Sequence, residues 1–278
     1  MSAMTHGDGG AHAAARARGS VAGASWMLAR KEAFEIVRTW RVIVLPAIVL
    51  LFAVTSPLLA KYTPDIVTAL AGSQFSGLKL PEPTVYDAYG QWIKNLSQIA
   101  AFAIIIIYGG IVSAERKSGT AVLVLTKPVS RVAFVVVKFV VQLVYLAVIV
   151  AVGCLVTWAV TAVTFGDAVH GTAGALWAST WVWFVLAALY LAVMVLFSVL
   201  IPAAAGAAGA GLGVYVVLAV ASAWQKVGDW SPAGLISGSA SLAANTQTES
   251  MLWPVLITVA AIVVAVGVAA LVFRRQEL

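Results

Sequence analysis

The sequence of 278 residues predicts an all-α membrane protein with six transmembrane helices, preceded by an amphipathic helix at the membrane surface. Hydrophobic residues make up 62% of the chain and charged residues only 10%, whereas a soluble domain carries about 25% charged residues. Six apolar segments reach the roughly 20 residues that a membrane helix requires. Lys and Arg concentrate in alternate connections between these segments. Together, these observations exclude a water-soluble globular protein.

The first 24 residues are rich in Ala, Gly, Arg and His and contain no apolar core. A signal peptide requires an apolar region of roughly 7–15 residues, so we expect a disordered cytoplasmic tail instead. Residues 25–278 then form one six-span transmembrane domain. The predicted spans are residues 42–60, 92–112, 132–152, 177–200, 205–224 and 253–273, and the apolar sequence of the third continues as far as residue 163.

The basic residues distribute unequally between the two sides that six spans define. Thirteen of the 17 Lys and Arg residues fall on the side that holds both ends of the chain, and four fall on the other. Basic residues remain in the cytoplasm because their translocation is disfavoured. We therefore expect a multi-pass protein of the cell membrane with both termini in the cytoplasm. The same distribution explains the net charge of +6 without any binding to nucleic acid.

Residues 26–41, before the first span, predict an amphipathic helix. Placed at about 100° per residue, they form an apolar stripe opposite a charged face. We expect this helix to lie in the membrane interface, with its stripe in lipid and its basic groups near anionic head groups. A plain cytoplasmic extension of the first span is the alternative. The stripe contains Trp26, Ala29, Ala33, Ile36, Val37 and Trp40, and the charged face contains Lys31, Glu32, Glu35 and Arg38.

The connection between the second and third spans contains the sequence ERKSGTAVLVLTKPVSR at residues 115–131. Gly119 precedes a short apolar run on the predicted cytoplasmic side, and Pro128 follows it. Glycine breaks the preceding helix, and proline ends the run. The run is too short to span a membrane. It forms either a short helix in a groove of a partner protein or a segment on the lipid surface.

This loop resembles the connection between the second and third spans of the type 2 ATP-binding cassette (ABC) permeases. The likeness extends to residues 29–32 and 38–41 and to the six-span layout of nearly the whole chain. Ala121 departs from it, because Leu or Phe is common at that position. The residues that match the loop motif are Glu115, Ser118, Gly119, Thr120, Leu123, Leu125, Lys127, Pro128, Val129, Ser130, Arg131 and Lys138.

The resemblance implies that the loop forms a cytoplasmic coupling helix, which transmits ATP-driven motion from a separate cytoplasmic ABC ATPase. It also implies a permease subunit of an exporter, paired with a second copy or a paralogue. ATP and Mg would bind to the partner ATPase, and this chain would hold no cofactor. Residues 72–79 only approximate a phosphate-binding loop, because the lysine comes one position late and no Ser or Thr follows it.

The spans themselves contain few groups that suggest chemistry. No span has a central Asp or Glu, which argues against coupling to protons. Lys138, about two turns into the third span, is expected to snorkel to the cytoplasmic surface. The three histidines cannot converge with Cys154 on a metal site. We therefore predict neither a catalytic site nor a metal site.

The fifth span is rich in small residues, including Gly206, Gly209 and Gly213. The pairs Ala205/Gly209 and Gly209/Gly213 have the small-xxx-small spacing that lets helices approach closely. This packing could lie within one subunit or between two. The resemblance implies pairing between permeases near the first and fifth spans.

Two other functions are compatible with the sequence. An ATP-independent transporter would act without an ATPase, and a membrane assembly or anchoring factor would bind partners without moving cargo. A path without charges suits amphipathic or lipid-like cargo better than small ions. Transport assays in vesicles that detected movement of a hydrophilic ion alone would contradict this hypothesis about the cargo.

Overall fold

The computed structural model describes residues 23, 26–71, 81–119, 130–247 and 250–276. All regular structure within these residues is helical. A π-helical turn occupies Leu96–Ala100, and a 3-10 turn occupies Gly166–Val169. In chain order the α-helices are 26–38, Arg41–Ala71, Val85–Asn95, Ala101–Tyr108, Ser113–Lys117, Arg131–Phe165, Ala173–Leu200, Ala204–Ala221, Gln225–Gly228, Gly234–Ala243 and Leu252–Arg275.

Six helical segments of the described residues are long and apolar enough to cross a bilayer. The prediction of an all-α membrane protein with six spans is therefore confirmed. The predicted boundaries of the last three spans hold to within four residues, whereas the first three spans extend further. We name the segments spans 1 to 6: Val42–Ala69, Val85–Lys117, Arg131–Val169, Ala173–Leu200, Ala204–Ala221 and Leu252–Arg275.

Spans 1 and 2 are longer than predicted because proline and polar residues near their ends do not break the helix. The helix Arg41–Ala71 contains 31 residues and includes three prolines. At about 1.5 Å per residue it exceeds the roughly 30 Å apolar core of a bilayer, so it projects beyond that core. Span 2 begins early because Thr84 and Asp87 form a reciprocal cap, in which the Thr84 N–H donates to the Asp87 carboxylate over 2.7 Å.

Span 4 is the most buried of the six spans. It packs against spans 2, 3, 5 and 6. The buried Trp92 indole N–H of span 2 donates to the Thr180 hydroxyl of span 4 over 3.1 Å, and the hydroxyl groups of Tyr89 and Thr172 lie 2.9 Å apart. Within a membrane such a bond contributes roughly 0.6 kcal/mol. Close packing of large side chains therefore supplies most of the free energy that holds span 4 against its neighbours.

Span 5 contacts the bundle through Gly211. A Cβ atom at Gly211 would lie 2.3 Å from Sδ of Met194 in span 4, so a larger residue there would require the flexible Met194 side chain to move. At Gly209 and Gly213 an added Cβ atom would meet no described atom within 4 Å, and at Gly206 it would meet only side chains of the preceding turn. Among the described residues, these three glycines make no close contact with another helix of the subunit. Packing between subunits stays a prediction.

Gly153 in span 3 tests the close contact between spans. A Cβ atom there would lie 2.6 Å from Val49 and 2.9 Å from Trp92. We expect Gly153→Ala to force the spans apart and lower the free energy of unfolding by about 1–3 kcal/mol. Gly267→Ala in span 6 is the matched control, because a Cβ atom there meets no described atom within 4 Å. Thermal unfolding in detergent measures both, and equal melting temperatures would contradict this packing.

Candidate functional site

One end of the bundle, which we name the charged end, brings together helix 26–38, residues 113–119 and the ends of spans 3, 4 and 6. Residues 119 and 130 are the described ends of the predicted coupling loop. Glu115, Ser118, Gly119 and Arg131 are within the described part of the chain. The other predicted loop residues lie outside it, namely Thr120, Leu123, Leu125, Lys127 and Pro128.

The helix Ser113–Lys117 at the end of span 2 is fixed by span 4. A turn at residues 109–112 interrupts span 2, and the first N–H groups of the following helix then lack partners within that helix. The buried hydroxyl of Ser198 accepts hydrogen bonds from the N–H groups of Val112, at 2.8 Å, and Ser113, at 3.0 Å. Span 4 therefore supplies the cap that positions this short helix.

Gly119 ends the same short helix. Its φ of +73° lies in the left-handed region that favours glycine, and its N–H donates to the carbonyl of Arg116 over 3.2 Å. The Ser118 hydroxyl donates to the carbonyl of Glu115 over 3.2 Å. The predicted helix break at Gly119 is confirmed.

Lys138 is the centre of a buried group of charges. Its ammonium nitrogen lies 2.7 Å from Oε2 of Glu32 and 2.7 Å from Oε1 of Glu115. Lys138 and Glu32 are each only 2% exposed. A buried charge is tolerated only when a partner neutralises it at hydrogen-bond distance. Lys138 therefore holds together helix 26–38, which we name the surface helix, the end of span 2 and the start of span 3.

Lys31 adds a second ammonium group to the same site. It lies 3.0 Å from Oε1 of Glu32, 3.0 Å from Oε1 of Glu115 and 2.5 Å from Oε2 of Glu35. We name Lys31, Glu32, Glu35, Glu115 and Lys138 the ionic cluster. Oxygens of its three carboxylates lie within 4.8 Å of one another, so their negative charges repel. The two ammonium groups neutralise most of this negative charge.

The pKa of Lys31 reflects these neighbours. Partial burial alone would lower this pKa, but the carboxylates of Glu35, Glu32 and Glu115 outweigh burial and raise it above its ordinary value. A lysine with a raised pKa stabilises the folded state at every pH below its unfolded value of about 10.4. That contribution is lost only as the pH rises through the higher folded pKa, so Lys31 is charged throughout the physiological range.

One side of the surface helix is buried against the protein, which the predicted division into an apolar and a charged face did not include. Trp26, Val37 and Trp40 of the predicted apolar stripe are exposed, and their contact with lipid stays a prediction. Ile36 was assigned to the same stripe but is buried against the protein, and Glu32, assigned to the charged face, is buried as well. The helical pattern separates polar from apolar faces, but it does not say which edge another span will cover.

The prediction that Lys138 snorkels to the surface is wrong. Its side chain stays within the bundle because two carboxylates meet it there. The predicted spans contain no central acid, but Glu32 and Glu115, which lie outside the predicted spans, reach Lys138 from the surface helix and the end of span 2. The position of Lys138, two turns into an apolar helix, is the feature of the sequence that indicates a carboxylate partner, since a buried charge requires one.

Arg116 and Arg131 form a second group of contacts at the charged end. The Arg116 guanidinium donates to the carbonyl of Val199, at 3.1 Å, and to Oε1 of Gln276, at 2.9 Å. The Arg131 guanidinium donates to the backbone carbonyls of Arg274, at 3.3 Å, and Gln276, at 2.5 Å. Nothing in the sequence pattern pointed to Gln276, which follows an apolar span as an ordinary polar residue.

Comparison with known proteins adds a finding to this geometry. The sequence model of a family described as ABC-2 family transporter protein matches residues 26–230. The match covers well over half of the chain and includes the surface helix, spans 1 to 5 and the whole ionic cluster. No curated protein matches the sequence at a significant level.

Lys138→Met tests the ionic cluster. The variant leaves Glu32 and Glu115 buried with one ammonium group fewer, and the loss of one partner from a buried ion pair costs about 3–5 kcal/mol. We expect a fall in the free energy of unfolding of that order, measured by unfolding in detergent. Lys117→Met is the matched control, because Lys117 is an exposed lysine on the short helix that carries Glu115.

The double variant Lys138→Met/Glu115→Gln provides an internal check. Neutralising Glu115 removes part of the repulsion that the single variant creates, so the double variant should be more stable than Lys138→Met alone. If Lys138→Met unfolded like Lys117→Met, the cluster would not stabilise the protein.

Proposed function

Because the chain belongs to the ABC-2 family of transporter proteins and is a membrane component of an ABC transporter, we propose that it is the permease subunit of an ATP-driven exporter. The single observation that carries this proposal is the family match over residues 26–230. Such subunits have no ATPase activity of their own, so a separate cytoplasmic ABC ATPase binds ATP and Mg. Export, rather than import, rests on the resemblance of the loop to the type 2 permeases.

The proposed contact with the ATPase is the loop between spans 2 and 3. Its apolar run, which includes Leu123 and Leu125, lies between charged residues and suits a groove on a partner protein. Both described ends of the loop are anchored: Ser198 caps the helix before it, and Arg131 contacts the end of span 6 after it. An anchored loop transmits a displacement to the spans instead of absorbing it.

The ionic cluster supports a specific route for that displacement. Glu115 lies on the helix that leads into the loop, and it contacts Lys138 of span 3 and Lys31 of the surface helix. Separating buried charges costs several kcal/mol, so these three elements move as a unit. In this mechanism the ATPase displaces the loop, and the surface helix and span 3 follow.

The proposed orientation places the charged end and both termini in the cytoplasm of a cell membrane. The acids of the surface helix support it, because Glu32 and Glu35 turn towards Lys31 and leave Arg30 and Arg38 exposed. An outward surface that combines arginines with exposed tryptophans suits an interface of anionic lipid.

A second permease, either a copy of this chain or a paralogue, is the proposed occupant of the open face of span 5. This span is the least buried of the six, and Val216, Val217 and Val220 are exposed on it. Gly209 and Gly213 meet no described atom within 4 Å, so a helix of another subunit could approach closely there.

The first experiment is purification of the chain from its native membrane in mild detergent, with identification of the proteins that accompany it. A stoichiometric ATPase with a phosphate-binding loop supports the proposal. A folded chain that purifies alone would favour an ATP-independent transporter. A membrane assembly factor would retain partners but yield no ATP-dependent transport after reconstitution.

Replacing both Leu123 and Leu125 with Glu tests the coupling loop. Charged side chains cannot enter an apolar groove without a large loss of solvation, so we expect the ATPase to be lost from the purified complex. The double Ile variant at the same positions keeps the apolar character and should retain the ATPase. Gel filtration checks that both variants remain folded, and full binding by the Glu variant would refute the assignment of the loop.

A further inference from the structure

Gln276, the residue that follows span 6, lies where spans 2, 3, 4 and 6 end. Its amide nitrogen donates to the carbonyl of Val199 over 3.1 Å, while its amide oxygen accepts from Arg116 over 2.9 Å. Arg116 also donates to the carbonyl of Val199 over 3.1 Å. The three groups therefore form a closed triangle of hydrogen bonds between the ends of spans 2, 4 and 6.

The Val199 carbonyl explains why this triangle forms. The last carbonyl groups of a helix have no partner within the helix, and Val199 is the penultimate residue of the helix Ala173–Leu200. Near the edge of a membrane such a group requires donors from other elements. The side chains of Arg116 and Gln276 are those donors.

The start of span 3 meets the same residue through its backbone. Arg131, the first residue of the helix Arg131–Phe165, donates to the carbonyls of Arg274 and Gln276. A guanidinium at a helix C-terminus satisfies unpaired carbonyls and complements the helix dipole. Arg116 precedes the loop and Arg131 follows it, so both ends of the loop converge on Gln276.

We propose that Gln276 is a positioning residue for the coupling loop. Its side chain holds the helix before the loop, and its backbone carbonyl holds the helix after it. The proposal rests on the proposed function only where it assumes that the loop contacts an ATPase. The positioning itself is a property of this chain alone. Among the described residues, the salt bridges of the ionic cluster do not include spans 4 and 6. Through Gln276, these two spans also follow a displacement of the loop.

A primary amide suits this position because it donates and accepts at once. Gln276→Ala removes both bonds of the side chain. Gln276→Glu keeps an acceptor for Arg116 and makes that bond charge-assisted, while Val199 retains Arg116 as a donor. The Glu variant should therefore restore most of the positioning that the Ala variant loses.

Hydrogen exchange of the full chain in detergent tests the proposal. We expect Gln276→Ala to exchange roughly fivefold faster in peptides covering residues 113–131, the change expected for the loss of one net hydrogen bond, with the central parts of the spans unchanged. Gln276→Glu should exchange close to the original rate. Gln98→Ala is the matched control, because Gln98 is exposed on span 2.

The hydrogen bond from Arg131 to the backbone carbonyl of Gln276 is tested with Arg131→Ala. This variant should accelerate exchange in the same peptides, whereas Arg275→Ala, which removes an exposed arginine one residue before Gln276, should not. Unchanged exchange in the Gln276→Ala and Arg131→Ala proteins overturns the proposal. So does faster exchange spread evenly over all spans with a lower melting temperature, since that result describes a general loss of stability.

Purification with the ATPase separates this proposal from the proposed function. We expect Gln276→Ala to retain several-fold less ATPase than the original chain and Gln276→Glu to retain as much. If the original chain retains no ATPase but the exchange results hold, the coupling function fails and the positioning by Gln276 stands. If the ATPase binds equally to all variants and loop exchange is unchanged, the positioning fails and the coupling function stands.

Discussion

A lysine inside an apolar bundle is the constraint on which the charged end depends. Removing an ammonium group from water costs several kcal/mol, so Lys138 requires carboxylates at bonding distance. Glu32 and Glu115 supply them, each at 2.7 Å, and they come from different elements, the surface helix and the end of span 2. Neutralising one residue thereby fixes three elements relative to one another. The place of the surface helix follows, because moving it away would leave a buried charge unpaired.

Helix ends impose the second constraint on the same region. Each helix satisfies its own backbone internally, apart from the N–H groups of its first turn and the carbonyl groups of its last turn. At the charged end the missing partners come from side chains. The Ser198 hydroxyl accepts from the N–H groups at the start of the helix before the loop, and the Arg116 guanidinium donates to the carbonyl of Val199 at the end of span 4. Glu115 belongs to the ionic cluster and contacts span 3, whereas its neighbour Arg116 contacts the end of span 4. One short helix therefore joins most of the bundle.

The number and type of spans could be predicted from the sequence because a membrane helix is a local structure. Span 6, for example, was expected at residues 253–273 and occupies Leu252–Arg275. The break at Gly119 was likewise predictable, because the conformation belongs to the residue itself. The partners in the site were not predictable in this way. Glu32 and Lys138 are separated by 106 positions, and Arg116 and Gln276 by 160, so only the packing of the spans brings them together.

The order of residues along the chain gives the ionic cluster a consequence for biosynthesis. Glu32 and Glu115 both precede Lys138, so the ribosome has made both acids before the lysine enters the membrane. A lysine opposes the insertion of a membrane helix by as much as roughly 2.5–3.5 kcal/mol when it lies at the helix centre, and acids already placed at the charged end offset the penalty for Lys138. Span 3 therefore inserts most readily after the surface helix and span 2 are in place. The contacts of Gln276 form only after span 6 is made, so assembly of the charged end follows the direction of translation.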